Sequence, residues 1–235
     1  MDDEAIYLAH YLVDKLNKIP PTSRLLVGIS GIPGSGKSTF AHLLTSHTNT
    51  LLSKTPSRAL LVGLDGWHLS RAQLDELPDP KQAHDRRGAH WTFDGVGYVS
   101  FVRALRGDVR SNTPVITAPS FDHALKDPTY DDVAVYPYHR IVIIEGLYTF
   151  LSLVPWRDAG MLFDERWVIE VGEEEARRRI VKRHVVSGVA RDREEAVRRA
   201  EENDIPNGRF LIANMLEPTR IIQSVDDKSL ALPDL

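Results

Sequence analysis

The sequence predicts an α/β fold, a five-stranded parallel sheet flanked by helices. Three observations predict it. Apolar, strand-like runs recur at 24–30, 59–64, 141–145, 166–171 and 219–223, with helical patterns in most of the intervals, the alternation that a helix-covered parallel sheet produces. The stretch VGISGIPGSGKST, residues 27–39, passes from a β-branched run through glycines to a lysine and two hydroxyl residues. Two of the strand-like runs lead into a carboxylate, Asp65 and Glu145, and ligands of such sheets gather beyond the carboxyl ends of the strands.

The chain opens MDDEAIYLAHYLVDKLNK, an acidic start and then a helical pattern with Ile6, Ala9, Leu12, Val13 and Leu16 on one face. A secretory signal needs a basic start and a longer apolar run. No stretch approaches the roughly 18 apolar residues of a membrane span. The cytoplasm is therefore the expected compartment, with the nucleoplasm not excluded.

Leu25 to Ser30 read as a buried strand, and Ser38, Phe40, Ala41, Leu43 and Leu44 as the start of a helix with an apolar face. Between them lie Gly31, Ile32, Pro33, Gly34, Ser35, Gly36, Lys37, Ser38 and Thr39, in which Gly31-x4-Gly36-Lys37-Ser38 fits the phosphate-loop pattern. Glycines leave successive backbone N–H groups free to turn toward an anion at a helix N-terminus. Lys37 is expected to reach the β- and γ-phosphates of a nucleotide and Ser38 to ligate Mg²⁺. Strand, loop and helix in this order predict a P-loop NTPase fold.

The second strand leads through ALLVGLDGWHL to Asp65 at the rim of the sheet. Ser70 with Gln73 already supplies a capping box for the next helix. Asp65 is thus read as the group that orients an acceptor hydroxyl and takes its proton. A carboxylate of pKa about 3.9 suffices, because phosphoryl transfer through a loose transition state needs little early proton removal.

Helical pieces and a hairpin (114–121 with 131–136) make 66–136 the expected acceptor-binding insertion. Arg86, Arg87 and His90 lie in it, ahead of Thr92-Phe93-Asp94 and an amphipathic helix. The two arginines either clamp a carboxylate or phosphate of the acceptor or are solvated. After the third strand, RIVIIEGLY, Glu145 reads as the second half of the Mg²⁺ site, binding directly or through water. Residues 173–186, EEEARRRIVKRHVV, place acids in the first turn of a helix and bases later, which suits its dipole. Arg179 and Arg183 share a face, and the helix precedes a Ser187-Gly188 turn. It is read as part of an arginine-bearing lid, about 173–200, and Asp192 with Glu195 begins the next helix by a capping box.

Hydrophobic residues at 42% and charged residues at 26% describe an ordinary globular chain, read here as a single domain over 1–235. The net charge of −4, from 29 basic and 33 acidic residues, argues against a general nucleic-acid binder. The absence of cysteine excludes disulfides, thiolate metal sites and cysteine nucleophiles.

The segments GIPGSGKS, LDGWHL, TFD, PSFDH, IIEGLY, RRIVKRH and NDIPNGR, in this order, resemble the uridine kinase, phosphoribulokinase and pantothenate kinase superfamily over about residues 24–223. They are most similar to its nucleoside or sugar kinase-like branch. The resemblance implies a catalytic base at Asp65, a metal-site acid at Glu145, lid arginines at Arg179 and Arg183, and adenine held near Asn207 and Gly208. Acceptor contacts are expected from Asp65, His68, Arg86, Arg87, His90, Phe121, His123 and Tyr148. The chain also departs from the pattern. Uridine kinases have Asp-Ser-Phe-Tyr where this chain has Asp65-Gly66-Trp67-His68, and Pro-x-Tyr-Asp-Phe with a His-x-Arg pair where it has Pro119-Ser120-Phe121-Asp122-His123 with Lys126 and Pro128. Nucleoside, nicotinamide riboside, pantothenate-like acid, sugar and sugar phosphate all stay open as acceptors.

The expected activity is transfer of the γ-phosphoryl group of ATP, with Mg²⁺, to a hydroxyl of a small metabolite. One alternative is a nucleoside monophosphate kinase, which Arg86 and Arg87 keep open. The other is a regulatory ATPase without an acceptor, and the guanine-reading Asn-Lys-x-Asp stretch that would favour a nucleotide switch does not occur. A small-molecule acceptor is the expected partner, without nucleic acid or membrane, and a homodimer stays open.

Overall fold

The computed structural model describes residues 1–122 and 125–225. Strands β1 (Leu25–Ser30) and β2 (Arg58–Gly63), the hairpin strands β3 (Ile116–Asp122) and β4 (Asp127–Val135), and β5 (His139–Glu145), β6 (Glu165–Glu170) and β7 (Arg220–Gln223) follow in chain order. Five of them form a parallel sheet in the order β2-β5-β1-β6-β7, and β3 pairs with β4 antiparallel. Strand β1 is buried at every position, as its unbroken apolar run requires at the centre of a two-sided sheet.

Helices α1 (Asp2–Leu16) and α2 (Lys37–Leu51) cover one face, where Leu8, Leu12, Phe40 and Leu44 pack with Val27, Ile143 and Trp167. The buried stripe of α1 is Ala5, Leu8, Ala9, Leu12 and Leu16, and Ile6 is 38% exposed. Ala9, Leu12 and Leu16 are buried as expected, while Ala5 and Leu8 take the places of Ile6 and Val13, a turn of the face by about 50°. Glu165 fastens the same helix: Lys15, the Tyr11 hydroxyl (2.6 Å), the Thr219 hydroxyl (2.6 Å) and the Trp167 indole N–H (2.9 Å) all donate to its buried carboxylate.

After β2 come the short helices α3 (Arg71–Asp75) and α4 (Pro80–Asp85), then α5 (Gly95–Leu105). Ser70 and Gln73 form the reciprocal capping box at α3. On the second face of the sheet, α5 and α6 (Trp156–Gly160) pack with Leu26, Val142 and Ile144, joined by Trp67, Tyr148 and Phe150. Much of the expected 66–136 insertion therefore belongs to the main core, because α5 covers the sheet.

Helices α7 (Glu173–Val186), α8 (Arg193–Arg199) and α9 (Ile205–Asn214) complete the helices of the described residues, with a π-helical turn, Ala200–Asp204, joining α8 to α9 without a break. Ile180, Val181, Ala190, Ala196 and Ala200 form a small core of their own. Among the described residues no helix is long and apolar enough to cross a membrane.

Candidate active site

The register of the sheet sets the site. Gly63 of β2 and Ile29 of β1 both lie level with Glu145 of β5, so the loops that follow these three neighbouring strands leave from one rim. The loop after β1 turns through Gly34 (φ 79°) and Gly36 (φ 86°) into α2. A Cβ at Gly34 would stand 2.6 Å from the Ala176 carbonyl oxygen, so a side chain there is excluded by backbone angle and by space. The Ser35 hydroxyl is buried without a partner in this loop. Left-handed glycines at a helix N-terminus, with a polar group left unpaired, fit the phosphates of a nucleotide.

Burial pulls the Lys37 ammonium below its usual range, Glu145 holds it up, Arg183 adds to the lowering, and Asp65 and Asp204 oppose it. Burial likewise pushes the Glu145 carboxyl up, against the pull of Lys37. The Ser38 hydroxyl donates to Glu145 at 3.2 Å, which brings together two oxygen ligands suited to Mg²⁺. The described residues hold no cluster of three or more His, Cys, Asp or Glu able to cage a metal. Ser38 and Glu145 would leave most positions around a Mg²⁺ ion to phosphate and water, ligands that this ion commonly keeps.

Asp65 sits in a 3₁₀ turn, Leu64–Trp67. Two glycines allow the turn to lie where it does: a Cβ at Gly146 would fall 2.3 Å from Leu64 Cβ, and one at Gly66 2.1 Å from the Pro119 carbonyl oxygen. Trp67 anchors the turn from below, against Tyr98 and Phe101 at 5.3 and 5.1 Å. The Asp65 side chain is 49% exposed, and His68 Nδ1 is 3.9 Å from its carboxylate. The His68 ring lies against Phe93 and Phe121 at 4.0 and 5.0 Å, which puts the hairpin beside Asp65.

Several expected acceptor residues have other tasks. Arg87 donates to the carbonyls of Lys126 (2.5 Å) and Leu69 (2.7 Å), pairs with Asp127 (3.0 Å) and covers the Phe121 ring. It clips the hairpin to the loop after β2, and Asp127 neutralises it, so the clamp reading is corrected at Arg87. Tyr148 is fully buried and its hydroxyl donates to the Gly88 carbonyl at 3.1 Å. That makes it the floor beneath the loop after α4 rather than a contact surface. His90 stacks on Phe210 at 4.4 Å, and burial keeps its imidazole below the usual range. His123 lies outside the described residues.

Asn207 is also placed otherwise than expected. It is buried, accepts from Arg86 (3.2 Å) and donates to Asn203 (3.1 Å), so its amide is engaged by the end of α4 and by its own helical run. Gly208 packs on the phosphate loop, where a Cβ would meet Ile32 at 3.2 Å and Pro33 at 3.4 Å.

Helix α7, expected to belong to a lid, is seated on the phosphate loop through Ala176 and Ile180. Arg179 donates to Glu175 (2.7 Å), Ser224 (2.9 Å) and the Gly34 carbonyl (3.5 Å), while Arg183 is exposed on the side of Lys37. Sequence reasoning passed over Asn203, Asp204, His184 and Ser224. His184 Nε2 and Asp204 Oδ2 are 2.8 Å apart and join α7 to the π-helical turn. Asn203 and Asp204 open the segment NDIPNGR, but no sequence pattern announces a π-helical insertion.

No family profile matches the chain. A Schizosaccharomyces pombe protein provisionally named a uridine kinase is 38% identical over 212 residues, 90% of this chain and 88% of its own length. The ATP-dependent kinase-like protein notR' of Aspergillus versicolor is 48% identical over 153 residues, 65% of this chain and 89% of its own. A crystal structure from Silicibacter sp. TM1040, provisionally described as a fructose transport system kinase, superposes with a TM-score of 0.79 at 30% identity, covering 92% of this chain and 98% of that one. The phosphate loop, the carboxylates at the strand ends and a relative matched along nearly its whole length lead to one assignment: the chain belongs to the uridine kinase-like family of P-loop kinases.

Proposed function

We propose that this kinase transfers the γ-phosphoryl group of ATP to a hydroxyl of a small metabolite. The observation that carries the reading is Asp65, a carboxylate with no hydrogen bond among the described residues, two positions beyond the rim that β2 shares with Glu145 and the phosphate loop. The acceptor oxygen bonds to the γ-phosphorus as the bond from that phosphorus to the β,γ-bridging oxygen breaks. ADP leaves, and the hydroxyl proton passes to an Asp65 carboxylate oxygen. Backbone N–H groups of the loop and the Lys37 ammonium hold the phosphates. Ser38 and Glu145 would hold Mg²⁺, which supplies neutralising charge between the β- and γ-phosphates. Arg183, and Arg179 from the wall of the loop, stabilise charge on the transferring group.

The test is ADP formation in the presence of nucleosides, nicotinamide riboside, hydroxy acids, sugars and sugar phosphates in turn. Acceptor-dependent turnover is expected, falling by about a hundredfold or more in Asp65→Asn while ATP affinity is kept. Equal turnover in the variant removes Asp65 from the chemistry. ADP formation that no acceptor accelerates favours a nucleotide-hydrolysing switch instead.

A further inference from the structure

We infer that the acceptor carries an anionic group, a carboxylate or a phosphate, and that Arg86 receives it, a statement that rests on the kinase reading above and narrows its substrate. Arg86 follows α4 and is partly buried. Its Nε donates to Asn203 Oδ1 at 3.3 Å and one terminal nitrogen to Asn207 Oδ1 at 3.2 Å. Both partners are neutral amides, and no carboxylate of the described residues forms an ion pair with it. Its neighbour Arg87 differs, being paired with Asp127 at 3.0 Å. Asp204, the carboxylate on the same turn as Asn203, is engaged by His184 at 2.8 Å.

A guanidinium partly withdrawn from water attracts an anion more strongly than one that is fully solvated. Two amides fix its orientation without discharging it. The other terminal nitrogen, Nη1, makes no hydrogen bond among the described residues, so half of a planar donor fork is left for a ligand, and carboxylate and phosphate match that fork.

The placement suits an acceptor. Asn207 holds Arg86 while the next residue, Gly208, packs against Ile32 and Pro33 of the phosphate loop, so the first turn of α9 touches both Arg86 and that loop. Asn203 also donates to the Arg87 carbonyl at 2.9 Å, and Tyr148 fixes Gly88 from beneath. The loop bearing Arg86 is thereby pinned at both sides. His90, with no side-chain hydrogen bond among the described residues, borders the same Tyr148 wall.

The experiment pairs acceptors that differ in one charge: glycerate with glycerol, pantothenate with pantothenol, fructose 6-phosphate with fructose. Each is measured by ADP formation, and by thermal shift in the presence of Mg²⁺ and a non-hydrolysable ATP analogue, on wild type, Arg86→Gln and Arg86→Lys. An anionic member is expected to exceed its neutral counterpart by about tenfold or more in kcat/KM or in affinity. Arg86→Gln brings that ratio close to one, chiefly through KM, and Arg86→Lys, which keeps the charge, recovers part of it. The hydroxy acid and sugar phosphate arms tell carboxylate from phosphate. Neutral members used as well as anionic ones, or an advantage that survives Arg86→Gln, overturn the assignment. Should none be turned over, the kinase reading fails by that measure, while thermal shift still decides the anion site: no anionic member stabilising the wild type, or equal stabilisation of Arg86→Gln, overturns it.

Discussion

Replacing Gly66 by alanine tests whether the acceptor hairpin fixes the turn that carries Asp65. The new Cβ would lie 2.1 Å from the Pro119 carbonyl oxygen, 2.6 Å from its carbon and 3.1 Å from the Ser120 nitrogen. Ordinary contact begins near 3.4 Å, so one backbone must retreat from the other by about 1.3 Å. The turn cannot yield easily, because Trp67 is buried against Tyr98 and Phe101. The hairpin yields instead, and it takes Phe121 away from His68. Overpacking of this kind costs about 1–3 kcal/mol, or roughly 2–12 °C in Tm for a chain of this size. Because a displacement near 1 Å can cost about a hundredfold in rate, kcat/KM for the acceptor should fall by roughly ten- to a hundredfold. ATP affinity should hold, since the phosphate loop follows a different strand. Thermal unfolding, steady-state kinetics with a confirmed acceptor and nucleotide titration together make the assay. A variant with wild-type Tm and wild-type acceptor kinetics would refute the close approach of β3 to the turn.

Arg183→Ala should lower kcat far more than it raises the KM for ATP, with lysine restoring little. Arg179→Ala should also raise the KM for ATP, because Arg179 bonds to the loop at Gly34 and to Ser224. A control on the same helix must leave Glu175 undisturbed, which Arg178 and Arg179 share. Arg177→Ala, which breaks only an exposed pair with Glu201, supplies one, and kinetics in which all three variants match would remove the arginines from catalysis. Stability should also vary with acidity through Glu165. Burial raises its pKa, but hydrogen bonds from Lys15, Thr219, Tyr11 and Trp167 bring it down to about 2, from 4.5 in the unfolded chain. A carboxylate depressed on folding contributes stability that is complete above pH about 5 and lost as pH falls toward 2, here about 3 kcal/mol. Urea titrations from pH 6 to pH 2 should show a shallower decline in Glu165→Gln, and a profile parallel to wild type contradicts the assignment.

Most of the frame is legible in the sequence because local pattern decides it. An apolar run that ends in Asp65 or Glu145 is a strand edge wherever the chain goes, and Gly31-x4-Gly36-Lys37-Ser38 specifies its own turn. What is illegible depends on partners far away in the chain. Arg86 and Arg87 are adjacent and chemically identical, yet one meets Asp127 and the other meets amides more than a hundred residues on. Nothing local separates them. Tyr148 reads as a polar residue after a catalytic strand, but α5 and α6 close over it. At α1 both Ala5 and Ile6 could begin the buried stripe, and close packing against α2 selects the smaller residue.

The π-helical turn between α8 and α9 holds one residue more than an α-helical turn would. Gly208 is anchored on the phosphate loop, so removing a residue from 200–204 would leave α9 in place and rotate α8 by about 100°. Ala196 and Ala200 would then swing away from Ile180, the contact that keeps the α8 end in step with the lid. The seating of α8 against α7 is thus set by a reading frame within a helix. Loss or gain of one residue there would change that seating while Asn207 and Gly208 of α9 kept their contacts.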